Sequence, residues 1–134
     1  MIGIDRWGME YASFSQQLCE DNSIAENIRN TEFHQGDACQ LDYPDEHFDA
    51  VTSNYVYHSI AGVNKQELLR ETLRVLKKGG TFARHDIMSK ARYGDMQNFV
   101  TELYDEGYET VELIDTTDGT FMSNGKAKTL GLSG

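Results

Sequence analysis

Apolar residues recur along this chain with two periods, and the alternation between them predicts its elements. Met96, Phe99, Val100, Leu103 and Tyr104 fall at i, i+3, i+4, i+7 and i+8, one face of a helix that Gly107 should stop. Phe99 and Tyr104 are expected in the core. Leu68, Leu69, Thr72, Leu73, Val75 and Leu76 mark a second helix. It starts near Asn64, has Glu67 three residues later as in a capping box, and is expected to end at Gly79-Gly80. A third helix is predicted from about Met9 to Ile28, with Tyr11, Phe14, Leu18, Ala25 and Ile28 as its buried stripe and Asp21-Asn22-Ser23 as a point of weakness. Short β-like runs lie between: Ile2–Ile4, Glu32–Gln35, Asp49–Ser53, Thr81–Ile87 and Thr110–Ile114. The order is strand, helix, strand, strand, helix, strand, helix, strand. Strands interleaved with helices imply crossover connections, hence an α/β fold with a mostly parallel sheet and helices on its faces. The tail from Thr120 to Gly134, richer in Gly, Ser and Lys, has room for one short helix.

Composition narrows the function classes. At 134 residues the chain is read as one domain with a real core, 1–134. Its 39% hydrophobic content and single Pro fit an ordered chain. A net charge of -10, from 22 acidic and 12 basic residues, repels phosphates and argues against nucleic acid as a partner. No apolar run approaches the ~20 residues that span a membrane. The N-terminus lacks the pattern of a signal peptide, so a cytoplasmic location is expected. Cys19 and Cys39 stand outside any C-x-x-C spacing, and a reduced state with no metal site is expected.

In a sheet of this kind, ligands bind outside the carboxyl ends of the strands. Those ends carry Asp5-Arg6-Trp7-Gly8, Gly36-Asp37-Ala38, Ser53-Asn54-Tyr55 and His85-Asp86. An acidic residue ending such a strand commonly accepts hydrogen bonds from ribose hydroxyls, and Asp5 has that position. Each residue also has a plainer reading. Asp5 and Asp37 suit turns, and Trp7 suits the sealing of a helix start. His58 suits a satisfied structural histidine after Tyr55-Val56-Tyr57. Arg84, His85 and Asp86 are too polar for a fully buried parallel strand, which points to the edge of a site or to a structural Arg–Asp pair. The Lys126 and Lys128 pair reads as solvated surface.

Taken in order with Leu41, the run Pro44 to Val51, His58 and the run Leu73 to Gly80, these residues resemble class I S-adenosylmethionine-dependent methyltransferases, in a Rossmann-like fold. The resemblance covers nearly the whole chain and looks most like the small-molecule type. It implies S-adenosylmethionine as cofactor, Asp5 on the ribose hydroxyls, and Arg6 and Trp7 beside it. It places Gly36, Asp37 and Ala38 at the adenine, Asn54 near the methionyl part, and Tyr55 and His58 at the approach of the acceptor. His58 and Asp86 are the candidate general bases for an acceptor that must lose a proton.

Two departures from the family pattern accompany the resemblance. The first strand and a GxGxG-like loop do not precede Asp5, and the last, antiparallel strand is expected to be missing as well. A truncated sheet of this kind leaves unpaired backbone groups between the strands ending at Asp5 and Ser53. Such a gap could be closed in a longer gene product, by direct pairing of the remaining strands, or by strand exchange in a homo-oligomer, which is the arrangement expected of the isolated chain. Weak or absent catalysis is expected of it too. A non-catalytic module for oligomerisation or partner binding is the alternative. A nicotinamide-dependent oxidoreductase shares the Asp5 logic but suits Gly36-Asp37-Ala38 less well.

Overall fold

A computed structural model of the chain describes residues 1–8, 13, 15–115 and 127–133. The predicted helix start at Met9 with Tyr11 and Phe14, and the tail residues 116–126 and 134, lie outside the described residues; so does the side chain of Lys128. Packing divides the chain into two compact units, Met1–Asp42 and Tyr43–Gly134. Among the described residues, no helix is long and apolar enough to cross a membrane.

The first unit holds strand β1 (Ile2–Asp5), helix α1 (Gln16–Ala25) and strand β2 (Glu32–Gln35). The strands pair in parallel, Ile2 with Glu32 through Asp5 with Gln35. Ser15 caps α1 by accepting from Leu18 N at 3.1 Å. The helix runs unbroken through Asp21-Asn22-Ser23, supported by the hydrogen bond from Gln17 Nε2 to Asp21 at 2.9 Å. The expected apolar stripe is not buried: Leu18, Ala25 and Ile28 are all exposed. The helix meets its sheet through polar groups instead. Gln16 Nε2 donates to Phe33 O at 2.8 Å, and Ser23 Oγ lies 2.7 Å from Thr31 Oγ1. Gln16 and Ser23 are seven residues apart, so they share a face.

In the second unit, β3 (Phe48–Asn54) leads through a 3-10 turn (Tyr57–Ser59) to α2 (Lys65–Arg74) and the long strand β4 (Leu76–Ile87). Then follow α3 (Lys90–Tyr93), α4 (Met96–Asp105), β5 (Thr110–Asp115) and β6 (Ala127–Ser133). The sheet order is β3-β4-β6-β5. β3 runs parallel to β4, while β6 is antiparallel to both β4 and β5. This corrects the expectation that the chain ends before an antiparallel last strand. β6 fills that place, with Leu130 paired to both Arg84 and Leu113. Gly, Ser and Lys in the tail hid it, because one buried leucine on a strand gripped from both sides gives little periodic signal.

Asn64 caps α2, accepting from Gln66 N and Glu67 N at 2.9 and 3.3 Å. The helix ends at Arg74, earlier than Gly79-Gly80, and Leu76 already belongs to β4. The reason lies in the orphan carbonyls of the last turn. Glu46 N donates to Arg74 O, and His47 N and Phe48 N both donate to Val75 O, at 2.8 to 2.9 Å. The chain entering β3 thus satisfies the helix end. The glycines serve the strand: a Cβ on Gly80 would stand 2.8 Å from Asp49 O and from Lys77 O.

Along β4 the side chains alternate. Phe82, Arg84 and Asp86 are buried, whereas Thr81 is exposed and Ala83, His85 and Ile87 are half-buried. Pairing puts Val51, Ser53, Leu113 and Leu130 on the same face as Phe82 and Arg84. Leu68, Leu69 and Leu73 of α2 and Met96, Phe99 and Leu103 of α4 complete this core. Each such burial contributes roughly 1.5–3 kcal/mol. Tyr104, expected in the core, is instead 47% exposed. Its hydroxyl donates to Val111 O and accepts from Val111 N, tying α4 to the outermost strand of the sheet.

Candidate functional site

Each unit gathers candidate residues at the carboxyl end of a parallel strand pair. In the first unit, Asp5 ends β1 and Gly36-Asp37-Ala38 follow β2. Gly36 N donates to Asp5 O at 2.9 Å and Gln35 Nε2 to Arg6 O at 3.1 Å, so the two exits are stitched together. Asp5 Oδ1 accepts from Trp7 N at 3.1 Å, with Trp7 in the left-handed region at φ 47°. Asp37 Oδ1 accepts from Cys39 N at 2.9 Å. That N–H holds the Asp37 carboxyl below its ordinary value. Both carboxylates are exposed. Adjacent strand ends thus present two acceptor-only groups to solvent. A Cβ on Gly36 would lie 2.8 Å from Ile4 Cγ2, so glycine lets the second exit approach the first.

In the second unit, Asn54 and Tyr55 stand at the end of β3 and His85 and Asp86 near the end of β4. Tyr55 has φ 53°, a strained conformation for an aromatic residue, fixed by donation of its N–H to His85 O at 2.8 Å. Its ring contacts the imidazoles of His85 and His58, with centroids 4.9 and 6.3 Å away. Asn54 Oδ1 lies 3.1 Å from His85 Nδ1. These two residues, with Thr52 and Ala83, line an open cavity of about 400 Å³.

Behind this rim lies a buried polar cluster. Arg84 and Asp86 are both 0% exposed, with Arg84 Nη1 3.7 Å from Asp86 Oδ2. The Arg84 guanidinium stacks 3.3 Å from the centre of the Tyr57 ring. Asp86 Oδ1 accepts from His58 Nδ1 at 2.6 Å and from Ile87 N at 2.8 Å. Asp86 Oδ2 accepts from Tyr93 Oη at 2.6 Å and His58 N at 3.0 Å. Burial, and then the bond to Asp86, pushes the Tyr93 phenol well above its ordinary value. Tyr57 Oη meets Thr72 Oγ1 at 2.6 Å.

The structure therefore joins Asp5, Arg6, Trp7, Gly36, Asp37 and Ala38 at one strand-pair end, and Asn54, Tyr55, His58 and Asp86 at another. Sequence reasoning missed Tyr57 and Tyr93. Tyr93 lies on a four-residue helix with no period to read. For Tyr57, the only signal was its place between a strand end and a histidine. Among the described residues, no cluster suited to a metal ion occurs.

Comparison with known proteins follows this geometry. The family described as "Methyltransferase domain" matches residues 2–83, more than half of the chain. The uncharacterized methyltransferase YcgJ of Bacillus subtilis is 40% identical over 81 residues, 60% of this chain and 29% of that protein. The ubiquinone/menaquinone biosynthesis C-methyltransferase UbiE of Ectopseudomonas oleovorans is 45% identical over 60 residues, 45% of this chain and 32% of that protein. The matches thus span about a third of the length of these curated relatives. Among solved structures, YcgJ of Bacillus subtilis superposes with a TM-score of 0.62 at 18% identity, covering 98% of this chain and 77% of that one. A SAM-dependent methyltransferase from Aquifex aeolicus gives 0.61 at 15% identity, covering 98% and 66%. At these identities the superpositions speak for the Rossmann-like α/β fold alone.

Proposed function

The chain belongs to the methyltransferase-domain family, whose cofactor is S-adenosylmethionine, and from this we propose that it serves methyl transfer to a small-molecule acceptor. The observation that carries the reading is the pair of exposed carboxylates, Asp5 and Asp37, at stitched neighbouring strand ends within the matched segment. The residues fit the cofactor chemically. Ribose hydroxyls and the adenine amine are donors, and ionised carboxylates are acceptors only. Asp37 is kept ionised by Cys39 N–H. In this reading Asp5 holds the ribose, with Arg6 and Trp7 flanking it. Gly36, Asp37 and Ala38 receive the adenine. Bound there, the cofactor supplies an already activated methyl group. The protein's task is to align the acceptor and to exclude water.

No Gly-x-Gly-x-Gly occurs in the 134 residues, so the isolated polypeptide should turn over slowly. β1 and β3 belong to different sheets, each as an outermost strand among the described residues, which supports a strand-exchanged homo-oligomer. Sedimentation as a monomer would refute that arrangement. The central test is calorimetric titration with S-adenosylhomocysteine. Micromolar binding near one site per chain, weakened ~10-fold or more by D5N or D37N, is the expected result, since hydrogen bonds to charged groups contribute about 1.5–3 kcal/mol. No binding would refute the reading and favour a non-catalytic module.

A further inference from the structure

We propose that a cavity of about 200 Å³ in the second unit binds a small apolar carboxylate, and that Lys90 selects for its charge. The site lies apart from the residues assigned to the cofactor and does not depend on the methyltransferase reading. Its lining comes from three places: Met88 and Lys90 just past β4, Gly94 to Gln97 at the turn into α4, and Leu113 near the end of β5. The cavity thus opens by the carboxyl ends of two strands, where sheets of this kind bind ligands.

The floor is apolar. Met88 and Met96 are 2% and 4% exposed, and Leu113 is half-buried. Two thioethers give a polarisable lining that adapts to a ring or a branched chain. The volume sets the size of the guest. It exceeds the ~30 Å³ share of a single water several times over, yet it falls below the ~300 Å³ at which sites for drug-sized ligands begin. An acid with one ring suits that range.

The charge of the guest follows from the wall. Lys90 is exposed, and its ammonium makes no ion pair among the described residues. Elsewhere in this unit Arg70, Arg74, Lys77 and Arg84 face carboxylates, while Lys65 and Arg92 donate to backbone carbonyls. Asp95 is the opposing charge beside the cavity. Its Oδ1 accepts from Asn98 N at 3.0 Å as the cap of α4, so its charge is set against the positive end of that helix. The ammonium is therefore the group left to meet a guest, and it favours an anion.

The wall is also held in place. Gln66 Nε2 donates to Tyr93 O at 2.8 Å and to Asp95 O at 3.3 Å, one on each side of Gly94. Gly94 turns the chain at φ 73°, and a Cβ there would stand 3.2 Å from Gln66 Nε2. Tyr93 Oη anchors α3 through its 2.6 Å bond to Asp86. A site fixed before its guest arrives loses less free energy to ordering.

The test is NMR of the full chain labelled at the methionine methyl groups and titrated with phenylacetate. The Met88 and Met96 methyls, identified through M88L and M96L, should shift together and saturably, while Met1 of the first unit stays unmoved. Phenylacetamide keeps the shape without the charge and should bind about 3- to 5-fold more weakly, the span of an exposed ion pair. K90M alters an exposed side chain and leaves the floor intact. It should weaken phenylacetate by the same factor and leave phenylacetamide unchanged, whereas K90R should keep the preference. Should either methionine variant fail to fold, the other identifies its own signal and the remaining shift is read in the wild type. No saturable shift at Met88 or Met96 overturns the site. Equal binding of acid and amide, or K90M binding the acid as the wild type does, overturns the role of Lys90. Tighter binding of phenethylamine would overturn the carboxylate class in favour of a cation held by Asp95.

Discussion

Replacing Asp86 by Asn tests the buried cluster most severely. The substitution keeps size and shape but deletes the counter-charge of Arg84, 3.7 Å away with both side chains 0% exposed. At an effective dielectric of about 20 the lost attraction is about 4 kcal/mol. Mutational experience with broken buried pairs gives a similar range, ~3–5 kcal/mol. The hydrogen bonds add to this. Four donors converge on the carboxylate, and an amide offers one oxygen to them and turns its NH2 on the rest. A domain stable by roughly 5–15 kcal/mol would lose a large part of its margin. The assay is urea denaturation followed by far-ultraviolet circular dichroism, with D86N, R84M and R84M/D86N in a double-mutant cycle. D86N should fall by at least ~3 kcal/mol, and the double variant should recover part of that, since no uncompensated cation remains. A D86N protein within about 1 kcal/mol of the wild type would refute the argument that Arg84 depends on this charge.

Three further outcomes are expected. Y93F removes a hydrogen bond to a buried carboxylate and should cost about 1.5–3 kcal/mol in the same assay. The folded-state phenol lies above its ordinary 10.0, so unfolded chains ionise first as pH rises. Stability tied to Tyr93 is complete below that value and falls as pH climbs toward the folded-state one, whereas Y93F should show a flatter alkaline decline. N64A deletes the cap that accepts from Gln66 N and Glu67 N, and should lower stability by about 1 kcal/mol, visible as a shifted urea midpoint without a changed slope. G80A forces a methyl group to 2.8 Å from two backbone oxygens that cannot swing aside, and should cost about 1–3 kcal/mol by thermal melting. An unchanged melting temperature would contradict the close approach.

Periodicity determined much of this protein. The i, i+3, i+4, i+7 pattern around Phe99 and the capped run after Asn64 located α4 and α2, and Glu32–Gln35 matched β2 end for end. These signals are local, since a repeating apolar position and a cap depend on neighbours in the chain. The candidate residues at strand ends were legible for the same reason: a strand's carboxyl end is a place in the sequence. Tertiary structure decided the rest. The end of α2 at Arg74 depends on donors from residues 46–48, and the insertion of β6 depends on free ladders of β4 and β5. The meeting of Arg84, Asp86, His58 and Tyr93 depends on three elements converging at one buried point. Polar groups at 0% exposure oppose every pattern that marks a core. Arg84 finds its counter-charge two residues away in Asp86, and it is Asp86 whose hydrogen-bond partners His58 and Tyr93 only the tertiary structure supplies.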